Sequence, residues 1–215
     1  MAMRLILASA SPRRRELLAR LGLPFEVVPS EISEEISGPV EPERIVRELA
    51  REKADDVWRR DPEGTLVLGA DTIVVTDQPG LPTILGKPTD AGEARRMLGL
   101  LSGTTHTVYT GMALMRTTSE SEALEIGEAI TEVVDTQVTF RKLTPAMIDA
   151  YVATGEPFDK AGAYGIQGYA SVFVEAVHGD YYNVVGLPLQ TVGRLLERAG
   201  IEWWRGKDAL ECASS

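Results

Sequence analysis

The sequence contains very few of the residues that build disulfide frameworks or histidine-based metal centres. Its 215 residues include one cysteine, Cys212, and two histidines, His106 and His178. A single cysteine excludes an internal disulfide and a cysteine-rich zinc site, and it suits a reducing cytoplasm, where we expect the protein to act. We interpret both histidines as packing or surface residues. A chain of this length buries roughly 70% of its unfolded surface and needs no covalent or metal cross-link.

Long hydrophobic runs and internal repeats are also missing. No stretch approaches the roughly 18 apolar residues of a membrane-spanning helix, so we expect no membrane partner. The apolar start is short and leads directly into three arginines, which favours a buried strand over a signal peptide. Without a convincing linker, we predict a single domain over residues 1–203 and a polar tail over residues 204–215.

Positive charge is scarce and unevenly distributed. The chain carries 22 Lys and Arg against 32 Asp and Glu, a net charge of −10. A general nucleic-acid binder is expected to be basic, so we predict no nucleic-acid partner. Residues 1–24 nevertheless contain five arginines and one glutamate. A basic spot on an acidic protein indicates a local anion site.

Hydrophobic periodicity predicts alternating strands and helices. We expect strands over residues 5–8, 25–28, 66–75, 107–116 and 130–141, and helices over 12–21, 43–59, 90–101, 144–153 and 188–199. We also expect loops over 36–43 and 77–88, a hairpin connection over 117–125, and a hairpin of strands 171–177 and 181–185. This order predicts an α/β fold with a mixed twisted sheet flanked by helices.

The first local anomaly is the segment that follows the first strand. Arg13, Arg14 and Arg15 would fill the first turn of a helix, where each cation is unfavourable by ~0.3–1 kcal/mol. A bound anion would reverse that cost. Backbone N–H groups, guanidinium groups and the hydroxyls of Ser9 and Ser11 suit a polyphosphate. The alternative is that the arginines point into water.

Two further charges interrupt apolar patterns. Lys53 lies on the apolar stripe of its helix, where it either extends its ammonium group to solvent or holds its charge for a phosphate. Asp71 interrupts an apolar strand, and a buried carboxylate without a partner is costly, so we expect it to be paired or metal-bound. The alternative for Asp71 is a turn residue that caps a backbone group.

Two glycine-containing segments also carry candidate ligands. Lys87 follows Gly86 but fails the P-loop pattern, so it is only a candidate phosphate ligand before a helix. The glycines of residues 162–168, spaced three apart, allow close approach of a ligand to the backbone, unless they form a tight structural turn. Lys160 supplies charge there, and Gln167 offers both a donor and an acceptor to a base edge.

Taken together, these segments resemble the Maf family of nucleoside triphosphate pyrophosphatases, from about Leu5 to Ala199. The matching motifs are residues 7–14 (Leu-Ala-Ser-Ala-Ser-Pro-Arg-Arg), Glu34, and residues 50–54, 69–72, 85–88, 101–103 and 159–168. The resemblance implies an inosine-triphosphatase-like architecture with a central cleft, a cytoplasmic homodimer and release of pyrophosphate from a nucleoside triphosphate. It also implies roles in cell-division arrest and in removing non-standard nucleotides.

Within that family the chain resembles the branch that acts on dTTP and UTP. Arg13, Thr72 and Gln167 match the three positions associated with this specificity. The branch that acts on 7-methyl-GTP carries Trp and Glu at the first and third of them. A 7-methyl-GTP pyrophosphatase, a non-catalytic anion-binding division regulator and a phosphomonoesterase are the alternative functions.

The resemblance also implies roles for the candidate residues. Glu34 and Asp71 would bind Mg²⁺ or Mn²⁺, with Glu31 and Glu35 as less favoured substitutes for Glu34, because Ser33 stands where many relatives have an acid. Asp71 would act as general base, as metal ligand or as both. The other residues implied in phosphate binding or catalysis are Ser9, Ser11, Arg13, Arg14, Lys53, Lys87 and Lys160.

Overall fold

The computed structural model describes residues 3–32, 41–60, 65–77, 82–116 and 128–212. The strands are β1 (Arg4–Leu7), β2 (Glu26–Val27), β3 (Thr65–Thr76), β4 (Thr83–Leu85), β5 (Thr105–Arg116), β6 (Glu128–Phe140) and β7 (Val174–His178). The α-helices are α1 (Pro12–Ala19), α2 (Pro42–Trp58), α3 (Ala91–Leu101), α4 (Pro145–Val152), α5 (Tyr181–Val185), α6 (Leu189–Arg198) and α7 (Ala209–Cys212). Over these ranges, no helix is both long and apolar enough to cross a membrane.

The strands form one mixed sheet, as the sequence predicts. The strand order is β2-β1-β3-β5-β6-β7, and β4 pairs with β3 outside this path. β1 runs parallel to β2 and β3, whereas β4 is antiparallel to β3 and β7 is antiparallel to β6. β3 is buried along almost its whole length, which explains its continuous apolar sequence.

Helix α2 packs directly on the sheet because the strands below it present glycine. A Cβ atom on Gly69 of β3 would lie 2.2 Å from the Ala50 carbonyl oxygen of α2. A Cβ atom on Gly111 of β5 would lie 2.1 Å from the Val46 carbonyl oxygen. A side chain at either position would push the helix away from the strand.

The chain divides into two compact units. The first comprises residues 1–71, 110–133 and 186–215, and the second comprises residues 72–109 and 134–185. In the first unit Leu210 is buried and its carbonyl accepts a hydrogen bond from the Met3 N–H. The domain limits predicted from the sequence stay a prediction.

The hairpin predicted around His178 is wrong. Residues 174–178 form β7, but residues 181–185 form helix α5 and not a strand. The Asp180 carboxylate accepts hydrogen bonds from the N–H groups of Tyr182 and Asn183, at 2.7 and 3.3 Å. Asp180 therefore starts a helix by capping its first N–H groups, and this overrides the strand preference of the tyrosine and valine residues that follow.

Strand β4 lies where a loop was predicted. Residues 77–88, predicted as a loop, include β4, which pairs with the end of β3 through Val74 and Leu85. The hairpin connection predicted over residues 117–125 lies outside the described residues, as do residues 36–40 of the other predicted loop. The remaining predicted strands and helices are present with small shifts at their ends.

Candidate active site

A buried ion pair joins the two charges that interrupt apolar patterns. Lys53 Nζ lies 2.6 Å from Asp71 Oδ1, and the two side chains are only 9% and 10% exposed. Lys53 therefore does not extend to solvent. Asp71 lies inside β3 and not in a turn. Each group supplies the opposite charge that the other requires when it is buried.

The pair follows from the close packing of α2 on β3. Gly69 and Asp71 are two residues apart and therefore face the same side of the strand. Ala50 and Lys53 are three residues apart and share one face of the helix. Because the Ala50 carbonyl meets Gly69, the next helical turn brings Lys53 to Asp71.

Arg14 braces the strand segment that carries Asp71. Its Nη1 donates to the Ala70 carbonyl oxygen at 2.8 Å and to Ser9 Oγ at 3.3 Å, and its Nε donates to the Gly186 carbonyl oxygen at 2.8 Å. β1 and β3 are parallel, with Leu7 opposite Leu68, so Ser9 and Ala70 are at the same level. Arg14 thus fixes the Ala70–Asp71 peptide through protein acceptors, while phosphate binding by Arg14 stays a prediction.

The remaining residues at the start of α1 are partly accessible. Ser11 occupies the N-cap position, but its side chain makes no cap hydrogen bond. Its N–H donates instead to Ser9 Oγ at 3.3 Å. Arg13 is half-buried in the first helical turn, which contains no acidic residue. Phosphate binding by Ser9, Ser11 and Arg13 remains predicted.

The predicted metal ligands are described only in part. Glu34 and Glu35 lie outside the described residues, and Glu31 is exposed. The Glu31 N–H donates to Asp56 Oδ2 at 2.9 Å. Burial opposes ionisation of Asp56, but hydrogen bonds from Glu31, Arg60 and Ser30 lower its pKa overall. Asp56 therefore anchors the chain just before the segment that contains Glu34.

The second unit carries the other predicted ligands. Gly162 adopts φ +69° and its N–H donates to the Gly86 carbonyl oxygen at 3.0 Å. This bond joins the end of β4, and with it the exposed Lys87, to residues 159–168, the glycine segment. Thr72 is half-buried in β3.

Lys160 and Gln167 lie on the glycine segment in different surroundings. Lys160 Nζ donates to the Glu156 carbonyl oxygen at 2.8 Å and to Asp159 Oδ1 at 2.5 Å. Gln167 is exposed. Glu156 and Tyr151, which were not predicted from the sequence, hold this segment through side-chain hydrogen bonds. Only the position of Glu156 just before the glycine motif could have indicated it, and nothing in the sequence marks Tyr151.

His106 packs beneath the same segment, as expected of a core residue. Its Nε2 is 2.9 Å from the Tyr164 hydroxyl, and its ring meets Phe140 edge-on. Burial lowers the pKa of His106 to about 4, so the imidazole is neutral near neutral pH. Burial also raises the pKa of Tyr164, which keeps its hydroxyl protonated.

Comparison with known proteins places the whole arrangement in a family. The model of a family described as "Maf: Maf-like protein" matches residues 4–199. The chain belongs to the Maf family. The match spans the residues between β1 and α1, Lys53, Asp71, Lys87 and the glycine segment, as the sequence motifs predict.

Curated relatives cover almost the whole chain. A Maf relative from Moorella thermoacetica, named dTTP/UTP pyrophosphatase, is 51% identical over 94% of this chain and 97% of its own length. Proteins of the same name from Bacillus cytotoxicus and Thermococcus gammatolerans are also 51% identical, each over 90% of this chain, and cover 94% and 95% of their own lengths. The chain is similar to these proteins along nearly their full length.

Solved structures also match, and one of them illustrates the likeness. It is a nucleoside-triphosphatase / dITP/XTP pyrophosphatase from Mycobacterium abscessus, 18% identical, with 71% of this chain and 95% of that chain covered. The TM-score is 0.40.

Proposed function

We propose that this protein is a dTTP/UTP pyrophosphatase, which hydrolyses these nucleotides to the monophosphate and pyrophosphate. The observation that carries the proposal is the buried Lys53–Asp71 pair, in a chain 51% identical to relatives of that name. The names of these relatives do not favour a 7-methyl-GTP pyrophosphatase or a non-catalytic regulator.

Asp71 is the group that accepts the proton of the attacking water. In the ion pair it is a carboxylate, and Oδ2 is the oxygen that the bond to Lys53 does not use. As water attacks the α-phosphorus, its proton passes to this carboxylate. The bond from the α-phosphorus to the bridging oxygen breaks, and pyrophosphate leaves with the electron pair of that bond.

Lys53 orients the Asp71 carboxylate, which is the general base, and other cations balance the charge of the substrate. A short bond from a buried ammonium group limits the positions that the Asp71 carboxylate can adopt. Arg13 at the start of α1 would neutralise phosphoryl oxygens, since N–H groups and guanidinium groups both attract anions. Lys87 and Lys160 are proposed for the same role.

A divalent cation also belongs to the proposal, although the structure describes only part of its predicted ligand set. The described part of the chain contains no cluster of three His, Cys, Asp or Glu side chains that could hold a metal ion. Asp71 offers one hard oxygen ligand, while Glu34 lies outside the described residues. When bound, Mg²⁺ or Mn²⁺ would supply charge stabilisation at the phosphates.

Product analysis with labelled water tests the proposal. The enzyme is incubated with Mg²⁺ and dTTP, UTP, CTP, GTP or 7-methyl-GTP in H₂¹⁸O, and the products are identified by mass spectrometry. We expect dTTP and UTP to be preferred, with pyrophosphate released and ¹⁸O in the monophosphate. Label in pyrophosphate would place the attack at the β-phosphorus and contradict the mechanism.

The same assay separates the alternative functions. Release of orthophosphate would indicate a phosphomonoesterase, and absence of any product would favour a binding protein. A preference for 7-methyl-GTP would move the chain to the other branch of the family. The homodimer, the cytoplasmic location, the division and nucleotide-clearing roles, and the lack of nucleic-acid and membrane partners stay predictions.

A further inference from the structure

Gln167, which the sequence predicts to recognise the nucleobase, lies on a four-residue turn. The Gly168 N–H donates to the Gly165 carbonyl oxygen at 3.1 Å, which closes the turn Gly165–Gly168. Within it Ile166 is buried and Gln167 is exposed. Ile166 therefore fixes the turn to the protein, while Gln167 is presented outward.

Each end of this turn is bonded to one of two side chains that are also bonded to each other. The Gly165 N–H donates to the Tyr151 hydroxyl oxygen at 3.1 Å. Immediately after the turn, the Tyr169 N–H donates to Glu156 Oε2 at 2.9 Å. The Tyr151 hydroxyl donates to Glu156 Oε1 at 2.9 Å, which closes a ring of hydrogen bonds around the turn.

The glycines of the turn leave room for this carboxylate. A Cβ atom on Gly168 would lie 2.3 Å from Glu156 Oε2, and a Cβ atom on Gly165 would lie 2.6 Å from Lys160 Cε and 3.1 Å from Glu156 Oε1. Two side chains of the protein itself, those of Glu156 and Lys160, thus occupy the space beside these glycines. Close approach of a ligand is not needed to account for the glycines.

Tyr151 is itself held firmly. It is 3% exposed and lies on α4, and its ring packs edge-on against Phe173 with a centroid distance of 5.2 Å. The carbonyl of Glu156 accepts a hydrogen bond from Lys160 Nζ. Through Tyr151 and Glu156, helix α4 is therefore connected to the backbone on both sides of Gln167 and to the ammonium group of Lys160.

We propose that Tyr151 and Glu156 are positioning residues that set the base specificity of Gln167. The inference rests on the proposed function and on the role predicted for Gln167 from the sequence, whose donor and acceptor match those of uracil or thymine. A glutamine amide discriminates uracil from cytosine only if its donor and acceptor keep fixed places, since a mobile amide can rotate to suit either base. The hydrogen-bonded ring fixes the backbone on both sides of Gln167 and so limits the positions that its side chain can reach.

The experiment compares two tyrosines of the same aromatic cluster. Tyr151→Phe removes the hydroxyl that binds the turn, and the matched control Tyr164→Phe removes a buried hydroxyl that binds His106 instead. The readout is the kcat/KM ratio of UTP to CTP. Loss of the hydrogen bond between the Gly165 N–H and the Tyr151 hydroxyl should lower this ratio about 2- to 12-fold in Tyr151→Phe. The ratio should be unchanged in Tyr164→Phe.

Variants of the acid and of Gln167 complete the test. Glu156→Ala should lower the UTP to CTP ratio as Tyr151→Phe does. Glu156→Gln should restore most of it, because its amide oxygen can accept from Tyr169 and its NH₂ group can donate to Tyr151. In a Gln167→Ala background, Tyr151→Phe should have no further effect on the ratio, since the residue that it positions is gone.

The outcomes separate this inference from the function on which it rests. If the wild type does not prefer UTP over CTP, the proposed function fails and the inference fails with it. If Gln167→Ala changes the ratio but Tyr151→Phe and Glu156→Ala do not, only the inference is overturned. Amide hydrogen exchange gives an independent readout: Gly165 and Tyr169 should exchange faster in Tyr151→Phe and Glu156→Ala, and unchanged protection would count against the ring.

Discussion

Around Asp71 the functional groups are buried and charged, whereas around Gln167 the functional group is exposed and is supported by a buried tyrosine and a half-buried glutamate. Lys53 and Asp71 neutralise each other at 2.6 Å under α2. Gln167 lies on a turn whose ends are fastened by Tyr151 and Glu156. The first region has its reactive groups in the core, whereas the second has only part of its support there.

This difference separates two tasks. A base that removes a proton benefits from a dry environment and a fixed partner, because charge interactions are stronger away from water. A side chain that recognises a nucleobase must reach the nucleotide, so the residues that support this side chain have to fix its position. We therefore expect variants of the first region to change rate and stability, and variants of the second to change selectivity.

The largest effect should come from Asp71→Asn. The amide keeps the volume and can still accept from Lys53, but it cannot take a proton from water, so kcat for UTP should fall about 10²- to 10⁴-fold. Pyrophosphate release at saturating UTP and Mg²⁺ measures this. Asp149→Asn, an exposed acid on α4, is the control for loss of one negative charge. Near-wild-type turnover of Asp71→Asn would remove Asp71 from the role of base.

The second effect concerns stability and compares two ion pairs of equal length. Lys53→Met leaves the Asp71 carboxylate buried and unpaired, which should cost about 3–5 kcal/mol in the free energy of unfolding. Arg95→Met breaks a pair that is also 2.6 Å long, but its side chains are 49% and 57% exposed, so the cost should stay below about 1 kcal/mol. Urea unfolding measures both values.

A double variant sharpens this second prediction. Lys53→Met combined with Asp71→Asn removes the uncompensated charge and should recover much of the lost stability. Equal costs for Lys53→Met and Arg95→Met would mean that burial gives the Lys53–Asp71 pair no special weight.

The third effect is a pH dependence that arises beneath the glycine segment. The pKa of His106 is about 4 in the folded protein and about 6.5 when unfolded, so the unfolded state binds the proton first as the pH falls. Stability should therefore decrease by up to about 3 kcal/mol between pH 6.5 and pH 4. In His106→Gln this component should be absent. Urea unfolding across that pH range tests it, and parallel pH profiles of the two proteins would refute it.

The smallest effect should be the change of selectivity in Gln167→Glu. The variant replaces an amide donor with an acceptor, so uracil and thymine lose a partner, whereas the guanine edge of 7-methyl-GTP offers two donors. We expect the kcat/KM ratio of UTP to 7-methyl-GTP to fall about 5- to 150-fold. An unchanged ratio in a folded variant would assign base recognition to other residues.

Local sequence signals predicted most of the secondary structure and several candidate residues. Asp90 was predicted to start a helix, and its carboxylate accepts from the Glu93 N–H at 2.8 Å. The apolar run of β3 predicted a buried strand with Asp71 as its anomaly. Such features depend on neighbours in the chain, so they can be read without knowledge of the fold.

Other features depended on contacts between distant segments. β4 forms because its three residues pair with the end of β3. The cap that starts α5 is local, but Thr136 of β6 holds it in place through hydrogen bonds with the backbone C=O and N–H of Asp180. The sequence predicted that Lys53 and Asp71 are functional, but not that they are partners, since 18 residues separate them. Their contact requires the close approach that Gly69 allows.

The mixed α/β class, the Maf family and the candidate residues could all be predicted from the chain, because residue types, periodicity and motif order are local properties of it. What those residues do for one another depends on the tertiary structure. It gave Lys53 its partner, turned Arg14 into a brace for Ala70 and Asp71, and placed Glu156 against Gly168. Hydrogen bonds and ion pairs have a range of a few ångströms, so folding must bring distant residues together before such roles exist.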